Sequence, residues 1–280
     1  MQVMTEQRSQ PQADDNFVVT KEYRRFAEFC HACRRERYIG LCYGVPGVGK
    51  TLSAKNLAKW YLFEKVITEG VYFTGLPPSL VEEVKTCRIA LYTPPVANSP
   101  ALVARQVYGV LSDFSSYVEM AIHFEDEGWL KQPEIDYCQL LIVDEADRLS
   151  TSSLEQVRDI YDKGQMGLVL IGMPGLEKRL ARYPQLYSRI GFAHEFKILS
   201  QAEIIFLLER HLHQLGFKLQ EGEFADAEAL AAIIRITNGN FRLLNRLLTQ
   251  IKRVMEINQL GYITKEVVET ARDCLVIGTI

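Results

Sequence analysis

Gly44-Val45-Pro46-Gly47-Val48-Gly49-Lys50-Thr51 has the spacing G-x-x-x-x-G-K-[ST]. Glycines at these positions let consecutive backbone N–H groups curl around a phosphate. A helix starting at Lys50 would add the partial positive charge of its N-terminus. Lys50 is expected to reach the β- and γ-phosphates, and the Thr51 hydroxyl to bind Mg²⁺. The expected nucleotide-contacting set is Gly44, Val45, Pro46, Gly47, Val48, Gly49, Lys50, Thr51 and Leu52. Further along, the apolar run Leu140-Leu141-Ile142-Val143 is followed at once by Asp144-Glu145. A buried strand ending in two carboxylates sets them at the carboxyl edge of a parallel sheet, where such sheets bind ligands. Asp144 is expected to hold Mg²⁺, through water. Glu145 is expected to orient and deprotonate the attacking water.

Positioning these groups requires strands that lead into them. Tyr38–Tyr43, Ile89–Tyr92, Leu140–Val143 and Leu168–Ile171 are short apolar runs that suit buried parallel strands. Between them, residues 50–66, 100–122 and 151–163 have helical spacing, and residues 67–86, with Gly70, Gly75, Pro77 and Pro78, read as loop with short irregular structure. A further helix is expected over 18–37, with Thr20 as N-cap. Strands alternating with helices imply an α/β fold whose parallel sheet is covered on both faces. After Ser200 the pattern is helical throughout, over 201–215, 225–237, 240–258 and 264–275. Residues 1–16, rich in Gln and acidic residues, read as a disordered leader. The expected organisation is a leader over 1–16, an α/β core over 17–199 and a helical domain over 200–280.

Composition excludes the fibrous, coiled-coil and wholly disordered classes: 48% of the 280 residues are hydrophobic and 24% charged. No secretory signal and no apolar run of about 20 residues is found, so a soluble cytoplasmic protein without membrane contact is expected. The six cysteines, Cys30, Cys33, Cys42, Cys87, Cys138 and Cys274, include one C-x-x-C and no second pair at zinc spacing. They read as reduced structural thiols.

With both motifs in hand, the chain resembles an AAA+ ATPase, a P-loop NTPase core followed by a small all-helical lid. The string Leu140–Leu149, together with Leu170-Ile171-Gly172-Met173-Pro174-Gly175-Leu176, resembles the transposition regulators of the TnsC, TniB and MuB group. The likeness runs from about Val18 to Ile277. It implies ATP and Mg²⁺ as cofactors, subunits that assemble as a ring or helical filament, and an arginine that one subunit lends to its neighbour's ATP site. The segment Leu180–Ile190 resembles the one that carries this arginine, with Arg189 as first candidate and Arg182 as second. Gly239-Asn240-Phe241-Arg242 resembles the second-sensor motif, which would put Arg242 on the γ-phosphate. The polar first sensor that the family carries after its fourth strand is missing, since Gly172 and Met173 stand there. Slow, switch-like hydrolysis is the expectation that fits this departure.

A formal net charge of −3 disfavours a nucleic-acid binder when taken whole. Counted by segment, it separates: residues 21–60 carry nine basic and three acidic residues, residues 111–165 four basic and thirteen acidic, and residues 175–260 twelve basic and nine acidic. In the transposition group the inner surface of the assembly tracks duplex DNA by its backbone. The loop Thr93–Ser99 and the helix after it, with Asn98, Ser99 and Arg105, are the candidates for that contact. The expected function is an ATP-dependent, sequence-nonspecific double-stranded DNA-binding regulator of transposition that recruits a transposase or a target-selection protein. A helicase loader or replication initiator, and a nucleotide switch with no DNA role, are the alternatives.

Overall fold

A computed structural model describes residues 17–64, 76–125, 136–214 and 227–275. The expected leader over 1–16 and the last five residues lie outside the described residues. Five strands form one sheet: β1 (Ile39–Tyr43), β2 (Ile89–Tyr92), β3 (Leu140–Val143), β4 (Gly167–Gly172) and β5 (Ile190–Glu195), in the order β2-β3-β4-β1-β5. β4 lies between β1 and β3 and runs parallel to both, and β2 is parallel to β3. Tyr43 pairs with Gly172, Val143 with Leu170, and Tyr92 with Val143. The carboxyl ends of these four strands therefore share one edge. Every residue of β2, β3 and β4 is buried, as the unbroken apolar runs require.

The helices are α1 (Lys21–Glu36), α2 (Lys50–Leu57), α3 (Val81–Lys85), α4 (Pro100–Ile122), α5 (Thr151–Lys163), α6 (Leu176–Leu180), α7 (Pro184–Tyr187), α8 (Gln201–Gln214), α9 (Ala227–Thr237), α10 (Phe241–Asn258) and α11 (Lys265–Asp273). Their starts follow local chemistry. Thr20 Oγ1 accepts from Tyr23 N–H at 3.1 Å. Ser99, Ser150, Asn240 and Thr264 cap α4, α5, α10 and α11 in the same way. Ser200 and Glu203 form a reciprocal capping box on α8: Glu203 N–H donates to Ser200 Oγ at 3.3 Å, and Ser200 N–H donates to Glu203 Oε2 at 3.0 Å.

Two stretches correct the sequence reading. The 67–86 segment is not loop throughout, because residues 81–85 form α3, with Val81 and Val84 buried. The sheet also has a fifth strand. β5 alternates half-buried and exposed positions, and its Gly and Ala leave no apolar run to detect.

The described chain forms two compact units. The first takes Arg25–Tyr43 and Thr51–His194; the second takes Val18–Arg24, Gly44–Lys50 and the chain from Glu195 on. The first unit is centred on fully buried Phe26, Phe63, Phe114, Ile39 and the strand residues Leu140, Leu141, Ile142, Leu168 and Leu170. Phe63 packs on Phe114 at 4.7 Å between ring centroids. The second unit has its own core, built from one face each of α8, α9, α10 and α11, with Ile204, Leu208, Ile233, Leu247, Ile251 and Val268 among its buried residues. The division at His194–Glu195 falls a few residues before the boundary read from the sequence.

Candidate nucleotide-binding site

The phosphate-type loop Gly44–Lys50 is held within the second unit. Gly47 and Gly49 have φ of 84° and 107°, a region where a side chain would be strained. A Cβ on Gly44 would run into the Phe196 carbonyl oxygen, and one on Gly47 would lie 2.5 Å from Asn240 Oδ1. Asn240 Nδ2 donates to Pro46 O at 2.9 Å, and Arg242 N–H donates to Gly47 O at 2.9 Å. Lys50, the first residue of α2, folds back so that its ammonium donates to Gly44 O at 2.5 Å and Val45 O at 3.0 Å. Val48 and Gly44 are buried, whereas Val45, Pro46 and Thr51 are exposed and Leu52 is half-buried. The Arg242 side chain is exposed.

In the first unit, β3 delivers Asp144 and Glu145 to the carboxyl edge of the sheet. Asp144 is 2% exposed, and its Oδ1 accepts from Glu145 N–H at 2.9 Å. Glu145 has φ of 52°, which costs a non-glycine residue about 1–2 kcal/mol and turns its carboxylate away from the strand line. That carboxylate pairs with Arg148 from the turn that follows. Arg148 also donates to Pro94 O at 3.1 Å. Asn98 spends its side chain here: Nδ2 donates to Pro95 O at 3.0 Å and Arg148 O at 3.1 Å, and Oδ1 accepts from Ser153 at 3.0 Å. Ser99 caps α4, and Arg105 is exposed on it.

At the end of β4, where the polar sensor is missing, another turn residue stands. Asp147 Oδ1 accepts from Met173 N–H at 3.2 Å and lies 2.9 Å from where a Cβ on Gly172 would be. Arg179 from α6 braces the same turn through Asp147 O at 3.0 Å and Leu149 O. The sequence assigns no role to Asp147, Arg148 or Arg179: the first two are charged residues in a turn beside the acidic pair, which is commonplace, and Arg179 lies more than thirty residues further on with no signal of its own.

Of the two finger candidates, Arg189 is half-buried. Its Nε donates to Asp162 Oδ1 at 2.7 Å and its Nη1 donates to Gln185 O. Asp162 also pairs with Arg158. Arg182 is exposed beyond α6. Five of the six cysteines are buried, and Cys274 is exposed. Burial pushes the Cys33 and Cys138 thiols up to about 12, so both are protonated near neutrality.

Comparison with known proteins is decisive for the family. A model of the AAA domain matches residues 33–180, more than half of the chain. The chain belongs to the AAA domain family. A potential ATP-binding protein of Staphylococcus aureus is 46% identical over 268 residues, which is 95% of this chain and 98% of the relative. A Mu-like prophage FluMu DNA transposition protein B of Haemophilus influenzae is 25% identical over 182 residues, 62% of this chain and 54% of the relative. Among solved structures, the RuvB Holliday junction branch migration motor of Thermotoga maritima has a TM-score of 0.57 at 16% identity, over 94% of this chain and 72% of that one. The Aeropyrum pernix ORC1 protein in complex with DNA has a TM-score of 0.56 at 16% identity, over 94% and 68%. These two likenesses show the fold alone, that of a P-loop NTPase core.

The AAA domain's donor set suits a magnesium ion. Asp144 is a buried carboxylate whose Oδ1 accepts from Glu145 N–H. Thr51 opens onto solvent in the same unit, at the start of α2. One carboxylate, one hydroxyl, phosphate oxygens and water are the ligands that small hard cation prefers. Among the described residues no helix is long and apolar enough to cross a membrane.

Proposed function

We propose that the chain is an ATP-dependent, sequence-nonspecific double-stranded DNA-binding regulator of transposition. The observation that carries this reading is the relationship to a DNA transposition protein B over 182 residues, on top of membership in the AAA family. In this reading the N–H groups of Gly47–Thr51 cradle the β-phosphate and Lys50 leaves the loop carbonyls for the β- and γ-oxygens. Thr51 and Asp144 hold Mg²⁺, which when bound would neutralise charge developing between the phosphates. Glu145 leaves Arg148 and accepts the proton of the attacking water. Arg189, with Arg182 as the alternative, reaches a neighbouring subunit's γ-phosphate, and Arg242 senses it from the lid. Hydrolysis is slow and switch-like, because the end of β4 offers Gly172 and Met173 in place of a polar side chain.

ATP-driven assembly on duplex DNA then recruits a transposase or a target-selection protein, and hydrolysis disassembles the array. Each subunit's weak backbone contacts, with Arg105 and the Thr93–Ser99 loop as candidates, sum over many copies. Electron microscopy with a non-hydrolysable ATP analogue, with and without duplex DNA, tests the reading. Ordered rings or filaments on DNA are expected. A protein that stays monomeric in every condition overturns it. For the replication-initiator alternative, the likeness to ORC1 at 16% identity speaks to fold alone.

A further inference from the structure

The described contacts between the phosphate loop and the start of the lid helix are two hydrogen bonds to loop carbonyls. Asn240 Nδ2 holds Pro46 O and Arg242 N–H holds Gly47 O, each at 2.9 Å. A trans peptide is planar, with its C=O and the next N–H pointing in opposite directions. Anchoring Pro46 O toward α10 therefore turns Gly47 N–H the other way. Anchoring Gly47 O does the same for Val48 N–H. These are donors the loop must aim at one point to hold a phosphate. Their carbonyls are tied back by residues almost two hundred positions downstream.

Asn240 does two jobs with one amide. Its Oδ1 accepts from Leu243 N–H at 3.1 Å and caps α10, while its Nδ2 reaches Pro46. Gly47 fits this arrangement twice: its φ is 84°, and its missing side chain leaves room for the Asn240 amide and Arg242 Cβ. We propose that Asn240 is a positioning residue for nucleotide binding, which presets the peptide planes of the phosphate loop and links phosphate occupancy to the seating of α10. This deepens the nucleotide-binding reading and rests on it. The coupling is reciprocal: whatever Asn240 contributes to phosphate affinity, bound phosphate returns to the hold on the lid helix.

Asn240→Ser separates the two jobs. Serine caps helices as well as asparagine does, but it is too short to bridge to Pro46. Thr264→Ala, which removes the cap of α11 in the same unit, serves as the control for a purely structural loss. The measurements are the dissociation constant of a fluorescent ADP in Mg²⁺, the unfolding midpoint of the free protein, and hydrogen exchange in the first turn of α10 with and without ADP. Asn240→Ser is expected to weaken ADP about five- to tenfold, the worth of one hydrogen bond. It is also expected to abolish the ADP-dependent protection of that turn, whereas Thr264→Ala keeps both. Unchanged affinity in Asn240→Ser overturns the proposal. So does a loss no larger than that of Thr264→Ala relative to the change in midpoint. A wild-type protein that binds no ADP overturns the nucleotide-binding reading as well, while wild-type binding with an equally tight Asn240→Ser variant overturns only the role of Asn240.

Discussion

Lys50→Ala is expected to abolish ATP binding and assembly while leaving the protein folded. The ammonium sits at the start of α2 and donates to the Gly44 and Val45 carbonyls of its own loop, outside the buried cores of both units. Titration with fluorescent ATP, alongside a thermal melt, checks both halves of that statement. Glu145→Gln should keep ATP affinity and trap the assembled state, because the amide cannot take the water's proton. Rapid disassembly of that variant in ATP would count against Glu145 as the base. Restoring a polar sensor by Gly172→Asn should fail. The new Cβ would lie 2.5 Å from Leu176 Cδ2 and 2.9 Å from Asp147 Oδ1, so a loss of about 1–3 kcal/mol in stability is expected in a denaturant melt, without faster turnover.

At the scale of elements, capping decides where the helical unit begins. The Ser200–Glu203 box closes the start of α8, whose buried Ile204 and Leu208 belong to the second core. Ser200→Ala is expected to cost about 1 kcal/mol. Burial pushes the Glu203 carboxyl up, but the Ser200 N–H and hydroxyl, together with the Glu22 and Lys21 backbone, outweigh it and hold the group below the ordinary glutamate range. A carboxyl lowered in the folded state stabilises above its unfolded value, and that contribution is lost as pH falls through the folded value. The gap in unfolding midpoint between wild type and Glu203→Gln should therefore be full at neutrality and shrink below about pH 4. A gap that stays constant down to pH 3 would show that the charge on Glu203 contributes nothing.

At the scale of the whole molecule, the role proposed for Arg189 is tested through assembly. Arg189 rests on Asp162, half-buried, in the single chain. If it serves a neighbour, Arg189→Ala subunits bind ATP but hydrolyse it poorly even on DNA. Mixing them with Glu145→Gln subunits should restore part of the activity, since each supplies what the other lacks at their shared interface. Two inactive proteins that stay inactive together, at ratios where assembly is visible, would exclude Arg189 and leave Arg182.

The sequence alone determined what local chemistry can dictate. Period and apolar runs gave the α/β pattern and four of the five strands. The glycines of 44–49 and the carboxylates after Val143 stand out because the first match the spacing of a phosphate-binding loop and the second end an apolar strand. β5 escaped because an edge strand needs only alternation, and its Gly191 and Ala193 are too small to display it. Only the tertiary structure decided which distant groups meet. It ties Asn240 and Arg242 to the loop at Pro46 and Gly47, Asp147 to the end of β4, and Arg148 to Glu145 and Pro94. These contacts join residues whose types are individually unremarkable. Side-chain reach and peptide-plane direction, set once the elements pack, select them, and no pattern along the chain encodes that geometry.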